Sequence, residues 1–280
     1  MALTAERIAE LNELCRRFRI DVLTAIHAPK SGHPGGSLSV CEILTYLYQE
    51  HMNLDANKAD DPDRDRLVLS KGHAAPMLYR NLAEKGFFPV EEMSTLRRMG
   101  GLAGHPNMHT PGVEMPGGPL GQGFPAAQGM AMALKLNKSP AKVYAVLGDG
   151  ELDEGVIWET AMSAAKFKLD NLIAIVDYNK VQLDGTTDEV MPLGDLAGKW
   201  EAFGWTVLEC DGHDLEALDF CISVADGAVG APTVIIANTV KGKGVSFMEG
   251  NAAWHHGSLD DRQYQIAVKD LEKEMEVLKE

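Results

Sequence analysis

The chain has 280 residues, 45% of them hydrophobic, which is enough for one sizeable core. A formal net charge of -15 argues against broad binding to a nucleic-acid backbone or an anionic membrane, because such a surface repels both at long range; an anionic ligand needs a locally arranged site. The first twenty residues alternate Glu and Arg with apolar side chains, and no apolar run approaches membrane-spanning length, so the expected location is cytoplasmic.

Ile8, Leu11, Leu14, Cys15, Phe18, Val22 and Ile26 recur at helical spacing, and Pro29 with Gly32 stops the pattern. A second helix is expected over Leu38 to Tyr48, a short strand over Arg66 to Leu69, and a third helix over Ala74 to Ala83. The stretch from Gly100 to Gly123 is so dense in glycine and proline that it predicts an ordered loop approached by a ligand or partner. Helices then alternate with strands: helix Phe124 to Leu136, strand Val143 to Leu147, helix Gly155 to Phe167, strand Leu172 to Val176. Helices near Asp195 to Phe203 and Asp214 to Asp226 separate strands Thr206 to Cys210 and Thr233 to Ala237. This order predicts an α/β fold, a central parallel sheet with helices on both faces, as one domain over residues 1–280. Ser258 and Asp261 have capping-box spacing before a terminal helix near 259–280, striped by Tyr264, Ala267, Val268, Leu271, Met275 and Leu278, which needs this sheet or a partner to pack on. Cys15, Cys41, Cys210 and Cys221 have no C-x-x-C spacing and read as reduced packing residues.

Two turns thirty residues apart carry the first chemical signal. Gly148-Asp149-Gly150 follows the apolar run 143–147, and Asp177-Tyr178-Asn179 follows 172–176. Oxygen donors at two neighbouring strand ends, with Gly150 allowing close backbone approach, suit a small cation and the diphosphate it neutralises. Asp-Gly and Asn are also ordinary turn residues, so the pairing, not either turn, carries the weight.

Five of the nine histidines sit in turns rich in Gly or Pro: His33, His73, His105, His255 and His256. Loop imidazoles of this kind can donate to phosphate oxygens or exchange protons with a hydroxyl. His105 and His109 have i, i+4 spacing, but Pro106 and Pro111 exclude a helical zinc pair. Gly121-Gln122-Gly123 begins a G-x-G-x-x-A match without the preceding strand that dinucleotide binding requires. Glu154 has a sufficient explanation as a helix N-terminal acid, and Lys241-Gly242-Lys243-Gly244 can reach an anion or form a solvated flexible turn, the turn being the preferred reading.

Seven segments together resemble the diphosphate-binding half of transketolase, a thiamine diphosphate enzyme family. They are SGHPGG at 31–36, SKGHA at 70–74, AGHP at 103–106, GPLGQG at 118–123, GDGELDEG at 148–155, DYNKV at 177–181 and HHGSL at 255–259, in the family's order and across nearly the whole chain. The resemblance implies the thiamine diphosphate-binding fold. It implies that Asp149, Asn179 and the Val181 carbonyl bind Mg2+, with Ca2+ or Mn2+ able to substitute. Gly150, His73 and His256 are then diphosphate contacts, and Gly118 and Leu120 lie against the aminopyrimidine. His33, His105 and His256 face the sugar, with Arg97 toward its phosphate, and His33, His73, His105 and His256 handle substrate and protons. Glu154 resembles a position that links two cofactor sites across an interface.

The segment carrying the pyrimidine-binding domain, with the glutamate that acts on the aminopyrimidine, has no counterpart here. The expectation is therefore the N-terminal subunit of a split transketolase of the pentose phosphate type, completed by a C-terminal subunit in a heterotetramer of two of each chain and acting on sugar phosphates. The alternatives are half of another split thiamine diphosphate enzyme, a synthase or unusual-sugar transketolase, or a non-catalytic cofactor-binding module.

Overall fold

Residues alternate along each central strand between two cores, and that alternation builds the architecture. The structure, a computed structural model, describes residues 3–277, with side chains of the last helix described through 273. Five strands, β1 (Arg66–Leu69), β2 (Val143–Gly148), β3 (Leu172–Tyr178), β4 (Thr206–Asp211) and β5 (Thr233–Asn238), pair in parallel in the order β1-β2-β3-β5-β4. Tyr144, Val146, Ile173, Ile175 and Ile235 face one core; Val143, Ala145, Leu147, Leu172, Ala174, Val176 and Val234 face the other. Period-two side-chain direction on a sheet covered on both faces requires this arrangement, and it explains why β2 and β3 are apolar at every core position. Each large aliphatic side chain so buried contributes roughly 1.5–3 kcal/mol.

The first core is covered by α1 (Ala5–His27), α2 (Pro34–Ser39), α3 (Cys41–Tyr46), α4 (Ala75–Lys85), α9 (Leu215–Asp226) and α10 (Asp261–Val277). The second lies under α5 (Gly123–Leu136), α6 (Gly155–Lys166) and α8 (Leu196–Ala202), with Trp200 fully buried. The short α7 (Thr187–Val190) follows β3 and carries a Thr186–Glu189 capping box. The expected α/β sheet with helices on both faces is what forms.

Three local expectations are corrected. The helix expected over 38–48 is broken: α2 ends at Ser39, α3 starts at Cys41, and a π-helical turn runs Leu47–His51. Pro34 starts α2 earlier than the apolar periodicity suggests, since proline suits the first helical turn. The cap of α10 is Asp260, whose carboxylate accepts from Gln263 N–H at 2.7 Å while Gln263 Oε1 accepts from Asp260 N–H at 3.0 Å; Ser258 and Asp261 do not form it. The α10 stripe packs within this chain: Ala267 and Leu271 are buried, and Tyr264 stacks on His27 of α1. The Met275 side chain and Leu278 lie outside the described residues.

Candidate active site

The strand ends that carry the two turns lie side by side. Gly148 of β2 pairs in register with Asp177 of β3, so the segments that follow, Asp149-Gly150 and Asn179-Lys180-Val181, border one cavity of about 260 Å³. His33, His73, His105, Gly118 and Leu120 line it as well, so most of the residues singled out from the sequence converge there.

On the acidic side, Asp149 is buried, and its carboxylate accepts from Gly150 N–H at 2.8 Å and from Lys180 N–H. Burial, and then the Asp177 carboxylate, push its pKa up to about 6. Asn179 Oδ1 accepts from Val181 N–H at 3.2 Å. Asp177 differs from the donor its turn suggested: it belongs to β3, fully buried, and takes hydrogen bonds from Ser39 Oγ at 2.6 Å and Thr239 Oγ1, and an ion pair from Lys71. Burial opposes its ionisation, yet Lys71 and the two hydroxyls hold it below the usual carboxylate range.

The basic side faces it. Lys71 is buried and also donates to the Gly36 carbonyl at 3.2 Å. Lys241 overturns the solvated-turn expectation: it is 2% exposed and lines the cavity, donating to the carbonyls of Val181 at 2.8 Å and Gln182 at 3.1 Å, with His255 Nδ1 at 3.0 Å. Burial and then Lys71 bring its pKa down to about 8. Lys71 was missed as a site residue, and for Lys241 the anion-contact reading was set behind the turn, although each stands just past a buried strand end, the placement that exposed Asp149.

Four imidazoles complete this wall, and His256 stands beside them. The His33 ring centre lies 5.5 Å from those of His73 and His105, 5.7 Å from His255 and 4.7 Å from His256. Burial, followed by His256 and His255, lowers His33 to about 3; burial and Lys241 lower His255 to about 4. His73 is held well below the usual range by burial and Lys71, and His105 is lowered by burial and then Arg97. The close approach of His73 needs Gly36, because a Cβ there would sit 3.0 Å from its Nε2. Arg97 is brought to the cluster, its Nη2 3.4 Å from His33 Nδ1.

Two candidates sit differently. His255 lines the cavity, whereas His256 is exposed beside His33. Glu154 is exposed at the N-cap of α6, off the cavity wall, with its Cβ 3.0 Å from where a Cβ on Gly121 would lie. Glu151, unflagged in the sequence, is buried and accepts from Gly121 N–H at 2.8 Å, Gly148 N–H at 3.0 Å and Ser70 Oγ, tying the glycine-rich loop to the ends of β1 and β2. Leu183, half-exposed like Leu120, adds a second apolar side chain to the lining. No strand precedes Gly123 at the start of α5, as the rejected dinucleotide pattern would need.

The sequence profile described as transketolase, thiamine diphosphate binding domain, matches residues 11–275. This chain belongs to the transketolase N-terminal family. Among the relatives of this family member, 6-deoxy-6-sulfo-D-fructose transketolase subunit SqwG of Clostridium sp. is 50% identical over 87% of this chain and 89% of the relative. An apulose-4-phosphate transketolase subunit from Phocaeicola vulgatus is 44% identical over 90% of each chain. The solved transketolase of Campylobacter jejuni matches with a TM-score of 0.89 and 32% identity, covering 95% of this chain and 43% of that one. The chain thus spans less than half the length of the solved transketolases it matches. Its relatives are transketolases, and those that match it over nearly their whole length carry subunit names, as the sequence led one to expect of this family member.

The residues present suit a metal-bound diphosphate. A buried carboxylate whose pKa is raised sits beside two amide-type oxygens, all hard donors, and faces two buried ammonium groups and imidazoles whose pKa values are depressed by burial and by those lysines. Among the described residues no cluster of three His, Cys, Asp or Glu side chains forms a metal site, so a cation here depends on ligand oxygens as well. Among the same residues no helix is long and apolar enough to cross a membrane.

Proposed function

We propose that this transketolase-family chain is the cofactor-binding half of a two-chain, cytoplasmic transketolase. It transfers a two-carbon ketol unit from a ketose phosphate to an aldose phosphate with thiamine diphosphate and Mg2+. The observation that carries the reading is the juxtaposition of opposite electrostatic needs in one cavity: Asp149 calls for a cation, and Lys241, His73 and His255 call for an anion. A metal diphosphate meets both.

In this reading Asp149, Asn179 and the Val181 carbonyl hold Mg2+, or Ca2+ or Mn2+ in its place. A carbonyl has two lone pairs, so Val181 can keep its Lys241 hydrogen bond. Gly150 admits the diphosphate against the backbone, His73 and His255 donate to it, and Gly118, Leu120 and Leu183 seat the rings. When bound, thiamine diphosphate supplies the nucleophilic carbon that takes up and hands on the two-carbon unit. His33 and His105, kept neutral at pH 7 by their depressed pKa values, accept and return protons at the sugar hydroxyls, with His256 beside them and Arg97 drawing in the sugar's terminal anion. Residues 1–280 act as one diphosphate-binding unit, and a subunit with a pyrimidine-binding domain completes each site in a heterotetramer, where exposed Glu154 lies at the interface.

The donor is read broadly, as a ketose ending in an anionic group. The names of the relatives at 50% and 44% identity include 6-deoxy-6-sulfo-D-fructose and apulose-4-phosphate, one ketose carrying a sulfo group and one sugar carrying a phosphate. The test is reconstitution against a panel of phosphorylated and sulfonated ketoses with aldose phosphates. The isolated chain is expected to be silent and the co-purified pair active; full turnover by the chain alone, or a pair that fails to bind thiamine diphosphate, sinks the reading.

A further inference from the structure

A buried polar chain connects α1 to the cavity wall, and the proposed chemistry makes no use of it. Arg19 of α1 and Glu42 of α3 pair at 2.6 Å between Nη1 and Oε1, both almost fully buried. Burial works against the Glu42 carboxylate, but Arg19 and His213 outweigh it and hold its pKa at about 2. His213, in the turn between β4 and α9, presents Nδ1 to Glu42 Oε2 at 2.8 Å. On the other edge of the ring, Val240 N–H donates to Nε2 at 2.9 Å. A backbone N–H only donates, so Nε2 is bare and the ring proton sits on Nδ1, where Glu42 accepts it.

Val240 directly precedes Lys241, and each residue around it is pinned. Thr239 N–H donates to the Tyr178 carbonyl at 3.2 Å and its hydroxyl to Asp177; Gly242 N–H donates to the Gly35 carbonyl at 3.0 Å. Those bonds come from β3 and the start of α2, beside the cavity. The bond at Val240 comes from outside, and without it this N–H at the strand end has no partner from the sheet.

We propose that His213 is a positioning residue for Lys241: the Arg19–Glu42–His213 chain fixes the imidazole tautomer that holds Val240, and so aims the Lys241 ammonium into the cavity. The inference rests on the reading that this cavity holds a diphosphate. Its action is on cofactor affinity, since His213 itself does not line the cavity.

The test uses the chain co-purified with its partner and calorimetry of thiamine diphosphate with Mg2+. His213→Phe keeps the ring's shape without its nitrogens and is expected to weaken binding about tenfold, in line with losses for groups that orient a ligand-holding residue. His213→Gln, whose amide can accept from Val240, recovers most of it. In a Lys241→Met background His213→Phe is expected to add nothing further, as for residues acting through one another. Nitrogen NMR of the wild-type protein is expected to show His213 protonated at Nδ1 and bare at Nε2, and this reading stands even where His213→Phe fails to fold. Independent, multiplying effects of the two substitutions, unchanged cofactor affinity in a destabilised His213→Phe, or a proton on Nε2 alone overturns the proposal. Absence of binding by the wild-type pair strikes the proposed function instead.

Discussion

At the carboxyl end of the sheet, Asp149, the two lysines and the imidazoles crowd one cavity; at the amino end, His51, Tyr144 and Asp226 form a second, half-buried cluster that again holds an aspartate and a histidine. There His51 Nε2 lies 2.9 Å from Asp226 Oδ2 and 3.0 Å from the Tyr144 hydroxyl, which donates to Asp226 Oδ1 at 3.0 Å. Tyr46 bridges His51 at 3.3 Å and Asp219 at 2.6 Å, and Lys142 Nζ donates to the Asp226 carbonyl at 2.8 Å. The amino-end groups satisfy one another. At the carboxyl end burial, and after it like charges, carboxylate toward carboxylate and cation toward cation, raise the pKa of Asp149 and lower those of the histidines. Residue type alone therefore does not mark a site; a local charge imbalance that an added ligand corrects does.

The sharpest way to break this contrast is to remove one aspartate from each end. Asp149→Ala is expected to abolish measurable thiamine diphosphate binding in Mg2+, because the proposed direct ligand is lost, while the fold survives at a strand end. Unchanged affinity by calorimetry would refute the metal assignment. Asp226→Ala is expected to do the reverse, lowering stability to urea by about 1 kcal/mol by removing the acceptor of a buried hydroxyl and a half-buried imidazole, with cofactor affinity unaltered. Loss of affinity there would erase the distinction between the two ends.

The smallest effect is in pH. His33, His73 and His255 stay neutral in the folded chain, whereas the unfolded chain takes up protons near pH 6.5. Fewer protons bound when folded means that stability is full above about pH 6.5 and declines as pH falls toward about 4, where His255 itself protonates. The urea midpoint of the wild-type protein is expected to fall over that window, and that of His255→Gln to fall less steeply. Parallel curves would show that His255 is not part of the imbalance.

Much of this was legible in the sequence because period and punctuation coincide. β1 begins and ends where the apolar run does, and the strand ends bearing Asp149 and Asn179 follow from runs that are apolar on both faces. The break between α2 and α3 was not, since Leu38 to Tyr48 is buried on every side and loses the stripe that would reveal an interruption. Lys71 escaped, and Lys241 was read as a turn before an anion contact, for a related reason: a lysine beside glycine reads as solvent-facing, and only tertiary packing shows that its stem is enclosed and its ammonium turned inward. Likewise, nothing in His255-His256 tells which ring points in; the chain's path past Trp254 decides it.

The order of the sheet also bears on how the protein reaches its native state. β1 has only β2 as a neighbour, and the whole of α4, the glycine-rich loop and α5 intervene before that partner is available. A parallel pairing across so long a segment carries its chain-closure entropy before any ladder bond rewards it, so it belongs among the slow events of folding. Lys71, just past β1, meets Asp177 on β3 only when both pairings exist. The buried ion pair at the floor of the cavity is thus a late product of folding, and a ligand that grips Asp149 and faces Lys71 would select chains in which the last strand has docked.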